Sequence, residues 1–383
     1  MRTSLYILAA GLSVFVLAPI SALCCTTDED CSLNGICSTQ GICACDPGWI
    51  SADCGKLDLQ PVARGTGYNH TNVTLPDYYS TEGGNSSWGG TIVQDRADAK
   101  LFHLVVSQFS HGCGLAGWRP FSTVIRAESR SGPAGPYVYA QELLGTFRHN
   151  PGVVWSPADA KYLLHTIGAE TQAPTTCQSY KWPNNISVST APDIRGPWTP
   201  PQQLLNGTNP AAWPMWTPEN PVADLALAIE DNLIYGADSP TGPYELLNTM
   251  PWNTSDYSTH WTEDPFLWRD RRGHWHILCH WLIDVAERGE KYPRVGGHLF
   301  SRTLCGNWTF RLQAAYNTAV RFADGGSTDY YRRERPKLFF SEDGMLTPLF
   351  LVNGVQEFNS SASYTLIQPI GQSSREYERA LGF

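Results

Sequence analysis

Residues 261–280 read W-T-E-D-P-F-L-W-R-D-R-R-G-H-W-H-I-L-C-H. An acidic pair, Glu263 and Asp264, stands before Pro265 and an apolar run. A charged turn, Arg269 to Gly273, leads into a second run that alternates His with Trp, Ile and Cys. Proline fits the first position of a strand, where its missing N–H removes no ladder bond. The stretch therefore predicts a β-hairpin with carboxylates at the mouth of its first strand. Its second strand sets His274, His276 and His280 on one face, against Trp275, Ile277, Cys279 and Trp281. Same-face residues on a strand lie about 7 Å apart, too far for three imidazoles to share one zinc ion. No metal or cofactor is expected; His280 is expected near a pocket and the other two histidines inside the sheets.

The opening of this hairpin recurs along the chain. W-G-G-T-I-V (88–93), N-P-G-V-V-W (150–155), N-P-V-A-D-L (220–225), E-D-P-F-L-W (263–268) and E-R-P-K-L-F-F (334–340) each set a polar or aromatic residue and Pro or Gly before an apolar strand. A Gly-Pro turn followed by an aromatic also recurs, as G-P-Y (135–137), G-P-W (196–198) and G-P-Y (242–244), with a degenerate G-N-W at 306–308. A period of roughly 60 residues built on strand openings and turns is the signature of a propeller. Five openings imply five blades, the third short enough to lack a strand. Innermost strands line the channel, so Trp88, Asn150, Asn220, Glu263/Asp264 and Glu334 should converge at one mouth.

Ahead of the repeats, residues 1–24 read as a signal peptide: Arg2, an apolar run from Leu5 to Leu17, and small residues before a cleavage site. Cleavage after Cys24 leaves ten cysteines; cleavage before Leu23 leaves eleven. An exported chain carries disulfides. In residues 25–55 the run C-A-C-D-P-G-W-I-S-A-D-C (43–54) resembles an epidermal-growth-factor-like module. That resemblance implies Cys25–Cys37, Cys31–Cys43 and Cys45–Cys54. The acidic pattern of calcium-binding modules does not precede its first cysteine. About 30 residues bury too little for a core, so the bridges must hold the module together. Eight Asn-x-Ser/Thr sites follow, at Asn69, Asn72, Asn85, Asn185, Asn206, Asn253, Asn307 and Asn359, and predict a glycoprotein. A net charge of −9 argues against nucleic acid and anionic membranes as partners. No later run is apolar enough to insert in a membrane. The expected layout is all-β: signal peptide 1–24, disulfide-rich module 25–55, five-bladed propeller 60–370 and C-terminal tail 371–383.

The openings, the Gly-Pro-aromatic turns and D-P-F-L-W-x-D-x-x-G-H-W-H resemble the five-bladed propeller glycoside hydrolases of family 43 and its relatives. H-G-C-G-L-A-G-W (111–118) adds to the likeness. The resemblance implies a general acid at Glu334 (E-x-P) and a carboxyl that tunes it at Asp264 (D-P). The general base should stand at Asn150-Pro151, where an amide cannot take a proton from water. Glu263 or Glu219, each beside an opening, is the expected replacement. Substrate-binding residues are expected at Trp88, His149, Asn150, Asn220, His280, Arg333 and Arg335. Among the fourteen tryptophans, Trp88, Trp118, Trp155 and Trp261 are candidate sugar platforms. Cys113 and Cys177 fall in corresponding loops of adjacent blades and should pair; Cys279 stays free or meets Cys305.

Three function classes remain open: a secreted glycosidase, a propeller that binds carbohydrate without cleaving it, and a cell-surface interaction protein whose growth-factor-like module docks a protein partner. The retained Asp264 and Glu334 favour the first. Asn150 favours the second.

Overall fold

The computed structural model describes residues 25–68, 86–172, 174–178, 180–215, 225–230, 233–249, 261–282 and 294–383. Five antiparallel sheets form the blades of a propeller. Blade 1 comprises Ser87–Gln94, Phe102–Phe109, Ser122–Ser129 and Val138–Leu144; blade 2 comprises His149–Ser156, Lys161–Ile167, Asn185–Ala191 and Gln202–Asn206. Blade 3 comprises Ala211–Pro214, Leu225–Ile229, Leu233–Ala237 and Glu245–Asn248, and blade 4 Trp261–Arg269, Trp275–Leu282, Arg294–Ser301 and Thr309–Tyr316. Blade 5 has three consecutive strands, Arg332–Phe340, Pro348–Gln356 and Tyr364–Pro369. In each sheet the first strand is innermost, and the five first strands neighbour one another in a ring.

The sequence pattern follows this architecture. Second strands have a blade on either face, so Phe102–Phe109 and Pro348–Gln356 are buried at every position. Val138–Leu144, at an outer edge, alternates exposed and half-buried residues instead. The Gly-Pro-aromatic turn has a steric basis. Gly135, Gly196 and Gly242 all have positive φ, at 90°, 99° and 85°. The aromatic two residues on folds back against each, so a Cβ at Gly135 would lie 2.8 Å from the Tyr137 ring.

Blade 5 is completed from the other end of the chain. Leu59 pairs with Ile370 and Tyr68 with Thr365, both antiparallel, and Gln60 N–H donates to the Pro369 carbonyl at 2.9 Å. Buried side chains seal the seam between blades 5 and 1: Ser363 Oγ donates to the Ser87 carbonyl at 2.9 Å, and Thr365 Oγ1 to the Gly89 carbonyl at 2.7 Å.

Two expectations need correction. Blade 3 lacks no strand, and its innermost strand is Ala211–Pro214, so its opening is Asn209-Pro210. Asn220 and Glu219, the expected opening and its neighbour, fall outside the described residues. Residues 371–383 are also more than a tail, since Gly371–Leu381 form a helix whose Tyr377 hydroxyl donates to Gln94 Oε1 at 2.7 Å.

The disulfide-rich module carries Cys25–Cys37, Cys31–Cys43 and Cys45–Cys54. It packs on the ends of blades 4 and 5 away from the strand openings. Trp49 stacks over Trp268 (ring centroids 6.5 Å) and against His298 (5.0 Å). Arg272 reaches Asp46 at 2.5 Å, and Arg311 donates to the Glu29 carbonyl at 2.7 Å. Among the described residues no helix is long and apolar enough to cross a membrane.

Candidate active site

The five openings share one backbone device. Gly89, Asn150, Asn209, Asp264 and Arg335 have φ of 65°, 50°, 52°, 55° and 57°. The last four precede proline, and only glycine adopts this left-handed conformation without cost. In blades 1, 2, 4 and 5 the strand pairing skips at this point. Such a bulge turns two successive side chains toward one side instead of alternating them. Each blade therefore contributes two positions: Trp88, His149, Thr208, Glu263 and Glu334 line a pocket of about 410 Å³. The second positions form the ring centred on Arg335, and Asn209 and Arg335 also reach the lining. Gly89 has no side chain for a reason: a Cβ there would lie 2.9 Å from the Cβ of Arg335.

Arg335 organises this ring. Its guanidinium pairs with Asp264 Oδ1, donates to Asn209 Oδ1 at 2.6 Å, and stands 3.4 Å from His149 Nε2. Asn150 Nδ2 donates to the same Asn209 oxygen at 2.8 Å, while Asn150 N–H is held by Ser107 Oγ at 3.0 Å. His149 Nδ1 meets Ser122 Oγ at 2.7 Å. Burial, reinforced by Arg335 and Arg119, holds that imidazole far below its ordinary pKa, hence neutral.

His280 lies buried behind three carboxylates. Its Nδ1 is 3.5 Å from Glu263 Oε2 and 3.8 Å from Asp264 Oδ2, and its Nε2 is 4.0 Å from Glu334 Oε1. Burial lowers its pKa, but Glu334, Glu263 and Asp264 together outweigh that and raise it above the ordinary imidazole value. Asp264 is raised to about 6 by burial, with Glu263 adding and Arg335 and His280 opposing. Ligand atoms of Glu263, Asp264 and His280 lie within 4.8 Å of one another. A metal ion there would have to compete with the Arg335–Asp264 pairing.

One carboxyl in the pocket gave no sign in the sequence. Glu230 follows the second strand of blade 3 and accepts from Asn209 Nδ2. Burial, together with the charges of Asp264 and Glu263, pushes its pKa up to about 8. It is a protonated acid at neutral pH. Deeper in the channel, burial, with help from Arg335, lowers Lys337 to about 8.

Of the residues expected to bind substrate, Trp88, His149 and Arg335 reach the pocket wall, as do Glu263 and Glu334, expected as catalytic. Asn150, Asp264 and His280 stand one layer behind it. Arg333 is not in the pocket. It is fully buried on the opposite face of its strand, bonded to Asn353 Oδ1 (2.9 Å), Gln368 Oε1 (2.7 Å) and the Asn317 carbonyl (3.0 Å). Its neighbour Arg332 lines the pocket and donates to Glu334 Oε1 at 3.2 Å. Trp118 and Arg119 reach the rim on a loop pinned by Cys113–Cys177. Cys279 and Cys305 are both free.

No protein-family profile matches the chain, and no curated protein is similar to it in sequence. Solved structures do match. The catalytic domain of Coprinopsis cinerea GH62 α-L-arabinofuranosidase aligns at TM-score 0.50 and 14% identity, over 82% of this chain and 97% of that one. Phanerochaete chrysosporium exo-β-1,3-galactanase, solved with galactose, aligns at 0.50 and 14%, over 82% of this chain and 65% of its own. A GH43 β-1,3-galactosidase aligns at 0.47 and 12%, with 62% of its length covered. The chain thus spans less than two thirds of the galactanase and the galactosidase. The two likenesses at 0.50 support the fold alone, a five-bladed β-propeller.

Proposed function

We propose that this protein is an exported, glycosylated glycoside hydrolase acting on a carbohydrate at the mouth of its propeller channel. The observation that carries this reading is the convergence of Glu230, Glu263, Asp264 and Glu334, from three blades, on one pocket of a size usual for small ligands. Glycoside hydrolysis needs one protonated carboxyl at the leaving oxygen and one carboxylate to handle water or the anomeric carbon. Glu334 takes the donor role and Asp264 tunes it through the shared His280. Glu263, on the other nitrogen of that imidazole, activates water in place of the amide at Asn150. Glu230, already protonated, is a second candidate donor. Export rests on the leader-like residues 1–24 and on the four disulfides. In the module Ile36, Ile42 and Ile50 are exposed, which leaves apolar surface for a protein partner.

Leaving-group chemistry separates the roles. Aryl glycosides with good leaving groups depart without protonation, so a proton donor's loss is felt mainly on natural linkages. Glu334→Gln should cut kcat on an oligosaccharide by 10² or more while sparing an activated aryl glycoside. If Glu230→Gln shows that pattern instead, the donor is Glu230. A second reading, a propeller that binds sugar without cleaving it, is favoured by Asn150 and by the Arg335–Asp264 pair that fills the ring. A glycan bound but never cleaved, and bound equally well by Glu334→Gln, would select that reading.

A further inference from the structure

The carboxylates lining the pocket each have a partner among the described residues. Asp264 has Arg335, Glu334 has Arg332 at 3.2 Å, and Glu263 has the His280 imidazole at 3.5 Å. Glu230 is answered by the Asn209 amide. Arg119 lines the pocket, and the one charge acting on it is that of Glu230, whose carboxyl titrates near 8. No side chain accepts from its guanidinium, and its Nε is buried without a partner. It lies flat over the Trp118 indole, 4.1 Å from the ring centroid, and Trp118 in turn packs on His149 at 4.6 Å. Across the pocket wall, Asn184 Oδ1 is also buried without a donor.

We propose that Trp118 and Arg119 form a subsite for an anionic group on the carbohydrate, a uronate carboxylate or a sulfate ester. The inference rests on the pocket being a glycan site and adds the class of sugar. A partly desolvated guanidinium without an acceptor is costly to keep, and its planar fork matches carboxylate and sulfate oxygens in pairs. The adjoining indole offers a face on which the apolar side of a sugar ring stacks. Asn184 Oδ1 would accept from a sugar hydroxyl. The subsite is also preorganised. Cys113–Cys177 clamps its loop, and Tyr180 N–H donates to the Arg119 carbonyl at 3.4 Å. Holding a guanidinium in place beforehand removes the ordering cost from binding.

The test is calorimetric titration of the intact glycosylated protein with two matched pairs: methyl β-glucuronide against methyl β-glucoside, and galactose 6-sulfate against galactose. The anionic member of at least one pair should bind about tenfold more tightly, by an advantage that shrinks with added salt. The pair that shows it tells carboxylate from sulfate. Arg119→Ala should erase that advantage, weakening the anionic member of the pair far more than the neutral one, while Arg119→Lys, a point charge without the fork, keeps part of it. Unchanged melting temperatures would show both variants folded. Equal affinity for anionic and neutral probes, no binding of any anionic probe, or an Arg119→Ala loss shared equally by the neutral sugars would overturn the proposal. Selective, Arg119-dependent binding without turnover would uphold the subsite and remove the hydrolase reading. Turnover of a glycan, with equal affinity for the anionic and neutral probes, would do the reverse.

Discussion

Glu230→Gln is the most discriminating substitution, because its effect on stability changes with pH in a way fixed by the structure. Glu230 titrates near 8 in the folded protein, against an ordinary value of 4.5. Between those limits the folded state keeps a proton that the unfolded chain releases. Stability is therefore complete below about pH 4.5 and falls as pH rises through 8. At 1.36 kcal/mol per pKa unit the full loss approaches ~5 kcal/mol, with about half of that surviving once the site relaxes. Glutamine keeps the acceptor for Asn209 but has no proton to lose. The variant should melt with wild type at pH 5 and above it at pH 9, by roughly 5 °C at about 2 °C per kcal/mol for a chain of this size. Thermal melts by near-ultraviolet circular dichroism from pH 5 to 9 read this directly. Parallel curves, or a gap that opens toward acid, would refute the account of Glu230 as a buried, protonated acid.

Arg335→Met removes the cation from buried Asp264 and should cost about 3–5 kcal/mol at pH 8, where the carboxylate is charged. The penalty should shrink near pH 5, as Asp264 protonates, and denaturant melts at the two pH values check it. Asn150→Asp replaces the donor to Asn209 and adds a charge beside Asp264. With the water-activating role at Glu263, it should lower hydrolysis or leave it unchanged; if it creates hydrolysis that wild type lacks, the assignment to Glu263 fails. Trp49→Ala strips the aromatic contact that docks the module, a loss of about 3–5 kcal/mol. Because its own disulfides keep the module folded, the variant should be cut by protease in residues 55–60 while the module survives intact.

The repeats were enough to give five blades, because strand openings and Gly-Pro turns are tied to local backbone needs that a sequence displays. They did not locate the third opening. Asn-Pro occurs at both 209 and 220, and nothing local distinguishes the copy that starts the strand. Arg333 was misassigned for a different reason. Strict alternation puts only one of Glu334 and Arg335 on the channel side, but the left-handed residue at 335 makes a bulge that brings both there. Glu230 and Arg119 left no trace. Each arrives from outside the innermost strands, one after a second strand and the other on a disulfide-pinned loop, so only tertiary structure brings them to the pocket.

The seam at blade 5 sets an order on the chain's life before it is folded. The segment from Leu59 to Tyr68 is made long before its partners, Thr365 to Ile370. Until then blade 5 has no outer strand and the ring no latch. Such long-range pairing is slow and leaves strand edges open to other chains while it is awaited. During synthesis, the disulfide-rich module can be oxidised and the early blades formed, but the ring closes only after blade 5 has been made.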